Sequence, residues 1–114
     1  MTAVDSTLTE AVTYALIKRA QHAYPFEVCG FIVSGWGGQF VYEVPNVAPN
    51  RRHSFQMHPG YQMLAMTDQT NIVGMWHSHP AGPDGPSGTD VKFKPPGMRA
   101  FVVTENGVFE YGLD

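Results

Sequence analysis

A histidine pair and a carboxylate, His77, His79 and Asp90, carry a spacing that suits a metal ion. The segment before them, Asn71-Ile72-Val73-Gly74-Met75-Trp76, is mostly apolar and rich in β-branched or aromatic residues, so it reads as a short buried strand. Side chains alternate faces along a strand, so His77 and His79, at i and i+2, leave the same face. The stretch Ala81-Gly82-Pro83-Asp84-Gly85-Pro86 can be neither helix nor strand. Ser87 and Asp90 are the next ordered side chains beyond it. Two imidazoles on one face and a carboxylate returned by a loop make a three-ligand zinc site. Such a site leaves the fourth position to water, the catalytic rather than the structural arrangement.

Each of these residues also has an ordinary role. A strand histidine is commonly a packed or hydrogen-bonded side chain, an Asp after Gly-Thr commonly caps a helix, and Ser-Gly is common in turns. The joint spacing is what stands out: His-x-His-Pro, ten residues between His79 and Asp90, and Ser-x-x-Asp closing the loop. That pattern resembles the JAMM (MPN-plus, Mov34-type) metallopeptidase family, whose motif is a distant Glu, then His-Ser/Thr-His-Pro, then Ser-x-x-Asp. Its fixed positions stand here as His77, Ser78, His79, Pro80, Ser87 and Asp90. Glu27, in Glu27-Val28-Cys29-Gly30, supplies the distant acid, and the resemblance runs from about Leu8 to Leu113.

The resemblance implies zinc held by His77, His79 and Asp90, with Glu27 as the general base that takes a proton from water. Ser87 is placed to donate a hydrogen bond to the oxyanion. Ser78, on the opposite strand face from the histidines, orients the groups around them. The implied reaction is amide or isopeptide hydrolysis of a peptide or ubiquitin-like substrate, beside a C-terminal Gly-Gly. The insertions by which eukaryotic members grip ubiquitin have no room here, so the chain looks like the compact prokaryotic or phage type. One such branch trims sulfur-carrier precursors. Another assembles phage tails, which leaves an interaction module among tail proteins as the alternative function.

Other chemistries fit less well. Cys29 lies in an apolar run with no basic neighbour to form a thiolate, which argues against a cysteine hydrolase. The His-x-Glu and Pro-Cys-x-x-Cys pattern of a zinc deaminase is missing. A net charge of −3 with 7 Lys+Arg offers no footprint for nucleic acid. No apolar run approaches the ~20 residues of a membrane span, and Met1 to Ser6 lack the basic start of a signal peptide. The expected location is cytoplasmic, or the virion tail if the chain is phage-encoded.

The 114 residues, 43% hydrophobic and 15% charged, suit a single globular domain over residues 1–114. Thr7-Leu8-Thr9-Glu10 reads as a capping box with Thr7 at the cap. Leu8, Ala11, Val12, Ala15, Leu16 and Ala20 then form one apolar helical stripe, closed by Pro25. Glu27 to Ser34 reads as a central strand that begins with Glu27, and Gly30 on it would admit a close backbone. A glycine-rich loop around Trp36, itself a plausible partner contact, leads to a returning strand from Gln39 to Val44. Ser54 to Met57 reads as a short strand, and Pro59 as the first turn of a second helix reaching about Gln69. His22, His53 and His58 match no ligand spacing and read as structural or surface residues. Pro95-Pro96 cut short the helix that in the family follows the Asp ligand. Arg99 to Thr104 and Val108 to Tyr111 form a hairpin around Asn106-Gly107. The expected fold is an α/β sandwich, a mixed and mainly antiparallel sheet flanked by helices, of the JAMM/MPN and cytidine-deaminase-like kind.

Overall fold

The computed structural model describes residues 7–35, 37–61, 63 and 71–112, and among these five strands and two helices have both ends described. In chain order they are α1 (Glu10–Ala23), β1 (Cys29–Gly35), β2 (Gly38–Val44), β3 (Ile72–Ser78), α2 (Gly88–Phe93), β4 (Ala100–Thr104) and β5 (Gly107–Tyr111). The strands form one sheet in the order β2-β1-β3-β4-β5. β1 pairs antiparallel with both β2 and β3, and β4 pairs antiparallel with β5. Only β3 and β4 run parallel. The sheet is therefore mixed and mainly antiparallel, as the sequence predicts. A parallel pair needs a crossover rather than a tight turn. Residues 79–99 make it, and the crossover carries both the Gly/Pro loop and α2 away from the end of β3.

The period-2 alternation of β3 divides two apolar clusters between the sheet faces. Trp76 joins Ile32, Phe101 and Val103 under Val12, Leu16 and Ala20 of α1. Met75 joins Cys29, Phe31, Val44, Met57, Ala100, Val102 and Tyr111 on the other face. His77, two residues after Met75, enters that second cluster.

Several boundaries differ from the sequence reading. The cap of α1 is Thr9, whose hydroxyl accepts the Val12 N–H at 3.1 Å, while Thr7 offers its carbonyl to Gln39 Nε2. Gln39 also accepts the Thr9 N–H, so contact with β2 fixes the start of the helix. β1 begins at Cys29, leaving Glu27 just ahead of the strand rather than at its first position. Ser54 to Met57 form no strand: the segment makes one isolated bridge, Asn46 to Met57. The last hairpin turns at Glu105-Asn106, with Gly107 already paired to Thr104. Residues 59–61 and 63 are helical, so the second helix starts where Pro59 places it. Trp36 and the expected remainder of that helix from Leu64 lie outside the described residues. Among the described residues, no helix is long and apolar enough to cross a membrane.

Gly30 does admit a backbone. A Cβ built there would strike the Tyr42 carbonyl oxygen of β2. Gly30→Ala must therefore part the β1–β2 ladder. Overpacking typically costs about 1–3 kcal/mol, and collision with backbone places this change at or above the top of that range. A thermal melt should show Tm lower by about 12 °C or more.

Candidate metal centre

The end of β3 delivers the histidines. His77 is its second-last residue and His79 lies one residue beyond it, tied to β4 by its N–H to Val103 O at 2.9 Å. His77 Nε2 and His79 Nε2 lie 3.1 Å apart. Asp90 Oδ2 lies 3.0 Å from the first and 3.1 Å from the second. Three donors bound at 2.0–2.2 Å to one tetrahedral ion would be about 3.3–3.5 Å apart, so a small outward shift of each side chain would seat one.

α2 places Asp90. Ser87 caps that helix, its Oγ accepting the Asp90 N–H at 3.0 Å, while Asp90 Oδ2 accepts the Ser87 N–H at 2.8 Å. The reciprocal capping box fixes the carboxylate over the histidines. The oxygen that accepts the Ser87 N–H in the capping box, Oδ2, is also the one that faces both histidines. α2 is only six residues long, as Pro95-Pro96 predict. Ser87 is exposed, and its O–H has no acceptor among the described residues.

Surrounding groups hold each ring. His79 Nδ1 donates to the Pro83 carbonyl at 3.0 Å. A carbonyl only accepts, so Nδ1 carries the proton and Nε2 presents its lone pair whenever the ring is neutral. His77 is fully buried, stacked on Phe55 at 4.2 Å and met edge-on by Tyr111 at 5.9 Å. Its Nδ1 has no hydrogen-bond partner among the described residues. An unpaired buried nitrogen costs about 1–3 kcal/mol; it is the ring atom outside the cluster, and Nε2 is the one that faces His79 and Asp90.

Burial and the hydrogen bonds around Asp90 set the charges of the cluster. Burial alone would raise the Asp90 carboxyl, but hydrogen bonds from His77, His79 and the Ser87 N–H outweigh it and hold it well below the usual range. Burial lowers His77, against the opposing pull of Asp90. The hydrogen bond to Asp90 raises His79, against burial. The cluster thus holds an ionised carboxylate, a neutral His77, and a His79 that is readily protonated.

Glu27 completes the cluster. Ligand atoms of Glu27, His77 and His79 all lie within 4.8 Å of one another. The histidine pair is therefore shared between two carboxylates, Asp90 in hydrogen-bond contact and Glu27 farther off. Burial pushes Glu27 up to about 7, with His79 opposing and Asp90 adding to the rise. Its backbone is pinned on both sides: the Glu27 N–H donates to Arg51 O, and Asn46 Nδ2 donates to Glu27 O at 2.9 Å. Ser78, fully buried, accepts the Val28 N–H on its Oγ at 2.9 Å and donates its own N–H to Val28 O at 2.9 Å. It ties the histidine strand to the segment carrying Glu27. A cleft of about 760 Å³ passes Glu27, lined in part by Tyr24, Phe26, Asn46, Arg51 and Tyr61.

The sequence reading passed over Asn46 and Phe55. Asn46 also accepts the N–H groups of Ala48 and Gln56, so it organises the whole 46–56 turn beneath Glu27. An Asn in a Pro-bounded loop is the available signal for such side chain–backbone bonding. Phe55 carries no local signal at all. His22, His53 and His58 are exposed, and none belongs to the ligand cluster; His22 lines the cleft past Glu27, and His58 Nδ1 accepts the Gly60 N–H. Cys29 is fully buried, with its thiol pushed up to about 12 by burial and then by Glu43 and Glu27.

Residues 9–111 match the family described as prokaryotic homologs of the JAB domain. No curated protein matches the chain. Among solved structures, a protein from Salinibacter ruber (strain DSM 13855), determined in solution, superposes with a TM-score of 0.58 at 18% identity. The alignment covers 95% of this chain and 82% of that one, a likeness of fold.

Proposed function

Starting from the chain's membership of the prokaryotic JAB-domain family, which includes peptidases, we propose that it is a zinc metallopeptidase of the JAMM type. The observation that carries this reading is the triangle of His77 Nε2, His79 Nε2 and Asp90 Oδ2, 3.0–3.1 Å on each side, with Glu27 beside it. Those three residues would hold the ion. When bound, zinc supplies a Lewis acid and lowers the pKa of a water toward ~7.

The chain's own groups do the rest. Glu27 takes the water's proton and passes it to the leaving amine. A carboxylate buried enough to sit near 7 is suited to both transfers. Ser87 keeps a free O–H to donate to the developing oxyanion. Ser78 and Asn46 hold the backbone on either side of the base. The substrate is an amide bond beside the Gly-Gly tail of a ubiquitin-like or sulfur-carrier protein, a class implied by the JAMM resemblance, and the cleft past Glu27 offers an extended chain a path.

Incubation of the purified, zinc-loaded protein with a Gly-Gly-linked peptide tests the proposal. Phenanthroline should abolish cleavage, and added zinc should restore it. Iodoacetamide at neutral pH should leave both the rate and Cys29 untouched, because that thiol is enclosed and protonated. Inhibition by the thiol reagent with indifference to the chelator would overturn zinc catalysis.

A further inference from the structure

The loop that separates the histidines from Asp90 is tied to the sheet by its own Asp84 side chain and to the His79 ring by the Pro83 carbonyl. We propose that Asp84 is a positioning residue: through Pro83 it fixes the ring of His79, and so sets the affinity of the site for zinc. This rests on the metal-site reading above.

The loop reads Pro80-Ala81-Gly82-Pro83-Asp84-Gly85-Pro86, in which Asp84 is the only side chain able to form a hydrogen bond. Asp84 Oδ1 accepts the Thr104 hydroxyl at 2.7 Å. Asn106 Nδ2 donates to both Asp84 oxygens, at 3.2 and 3.1 Å. Thr104 Oγ1 in turn accepts the Asn106 N–H at 3.0 Å. Thr104 is buried at the end of β4 and Asn106 lies in the turn to β5, so the loop is clamped to the rim of the sheet.

The clamp and the ligand ride on neighbouring strands. β3 and β4 pair through Ser78 and Val103, one residue before His79 and one before Thr104. Gly82, at φ +75°, reverses the loop, and its N–H bonds back to the His79 carbonyl at 3.1 Å. The reversal aims the Pro83 carbonyl at His79 Nδ1, 3.0 Å away. That contact keeps the proton on Nδ1 and turns Nε2 to His77 and Asp90. Proline and glycine supply the bend, but the side chain that stops the bend from drifting is Asp84. A cavity of about 240 Å³ lies against the clamp, bordered by His79, Asp84, Thr104 and Asn106. Once released, the loop could move there and water could take the Pro83 carbonyl.

The test compares wild type with Asp84→Ala and Asp84→Asn by zinc competition against a chromophoric chelator. Loss of a group that orients a metal-bound histidine typically weakens binding 10–100-fold. Acting at one remove, Asp84→Ala should weaken zinc about tenfold, and Asp84→Asn, which keeps an oxygen for the Thr104 hydroxyl, should recover most of that. In parallel, the His79 Nδ1–H resonance of chelator-treated protein should be protected from solvent exchange in wild type and lose that protection in Asp84→Ala. A folded Asp84→Ala with wild-type zinc affinity and a protected Nδ1–H overturns the proposal. If Asp84→Ala fails to fold, Thr104→Val removes only the hydroxyl donor and should move both readouts in the same direction, and no change in either overturns it. If wild type itself binds no zinc, the metal reading fails while the exchange measurement still decides whether Asp84 holds His79.

Discussion

Glu27→Gln is expected to leave the protein folded and zinc-loaded while slowing hydrolysis by about 10²–10⁴-fold. Gln is nearly isosteric with Glu but cannot accept the proton of water. The backbone bonds that place residue 27, from Arg51, Asn46 and Ser78 through Val28, do not involve its side chain. The fold therefore has no reason to move. The pH dependence of stability should separate the two proteins in chelator-treated samples. Burial raises Glu27 to about 7, so its folded-state affinity for protons exceeds that of the unfolded chain. Its favourable contribution is then fully present below the ordinary carboxylate pKa and is lost as pH rises through about 7. Melting curves should show wild type losing stability relative to Glu27→Gln across that interval, with the gap levelling off above about pH 7. Two outcomes redirect the assignment. If Glu27→Gln supports the same biological process as wild type and neither cleaves a Gly-Gly-linked peptide, the chain is an interaction module. If the variant loses zinc, Glu27 is itself a ligand, a result its place within 4.8 Å of both histidines makes concrete.

The parts of this site legible in the sequence are those governed by local period. His77 and His79 share a face because strands repeat every two residues, and the same alternation sends Trp76 and Ser78 the other way. Ser87 and Asp90 stand at the spacing of a capping box, so one rule predicts a helix start and the placement of a carboxylate. Glu27 differs. It lies 50 residues from His77 in the chain, and only the antiparallel register of β1 against β3, with Cys29 opposite His77, brings the two ends together. Nothing local encodes that register, which is why Glu27 entered through a family resemblance. Asn46, Phe55 and Asp84 were silent for a related reason. Each acts on the site through a partner distant in sequence; Asn46 and Asp84 sit in stretches whose composition says only that the chain turns, and Phe55 in one that reads as an ordinary short strand. The cap of α1 was misplaced because Thr7 and Thr9 are both competent caps, and Gln39 of β2, which bonds to both residues, settles the choice.

Asp90→Asn should weaken zinc by more than about 100-fold, beyond the range seen when only an orienting partner is lost. Asn keeps an oxygen that can accept the Ser87 N–H, so α2 retains its cap while the site loses its anionic donor. The same substitution removes hydrogen bonds made to an ionised group, each worth about 1.5–3 kcal/mol. Chelator-treated protein should therefore also melt somewhat lower, and the two losses are read separately. The pH dependence of binding gives the assignment a second signature. Zinc must displace protons from its ligands, and Asp90 carries none near neutrality because His77, His79 and the Ser87 N–H keep it ionised against the pull of burial. The competing proton sits on His79, which Asp90 raises by hydrogen bonding. Wild-type affinity should hold at alkaline pH and fall as pH drops through the imidazole range. With Asn at position 90 that support for the His79 proton is gone, so the fall should begin at lower pH even though binding is weaker throughout. His77→Ala, which removes a different corner of the triangle, should lose zinc as completely as Asp90→Asn and leave Asp90 on its cap. Wild-type zinc stoichiometry and affinity in either variant would sink the three-ligand assignment, and retention in Asp90→Asn alone would pass the carboxylate's role to Glu27.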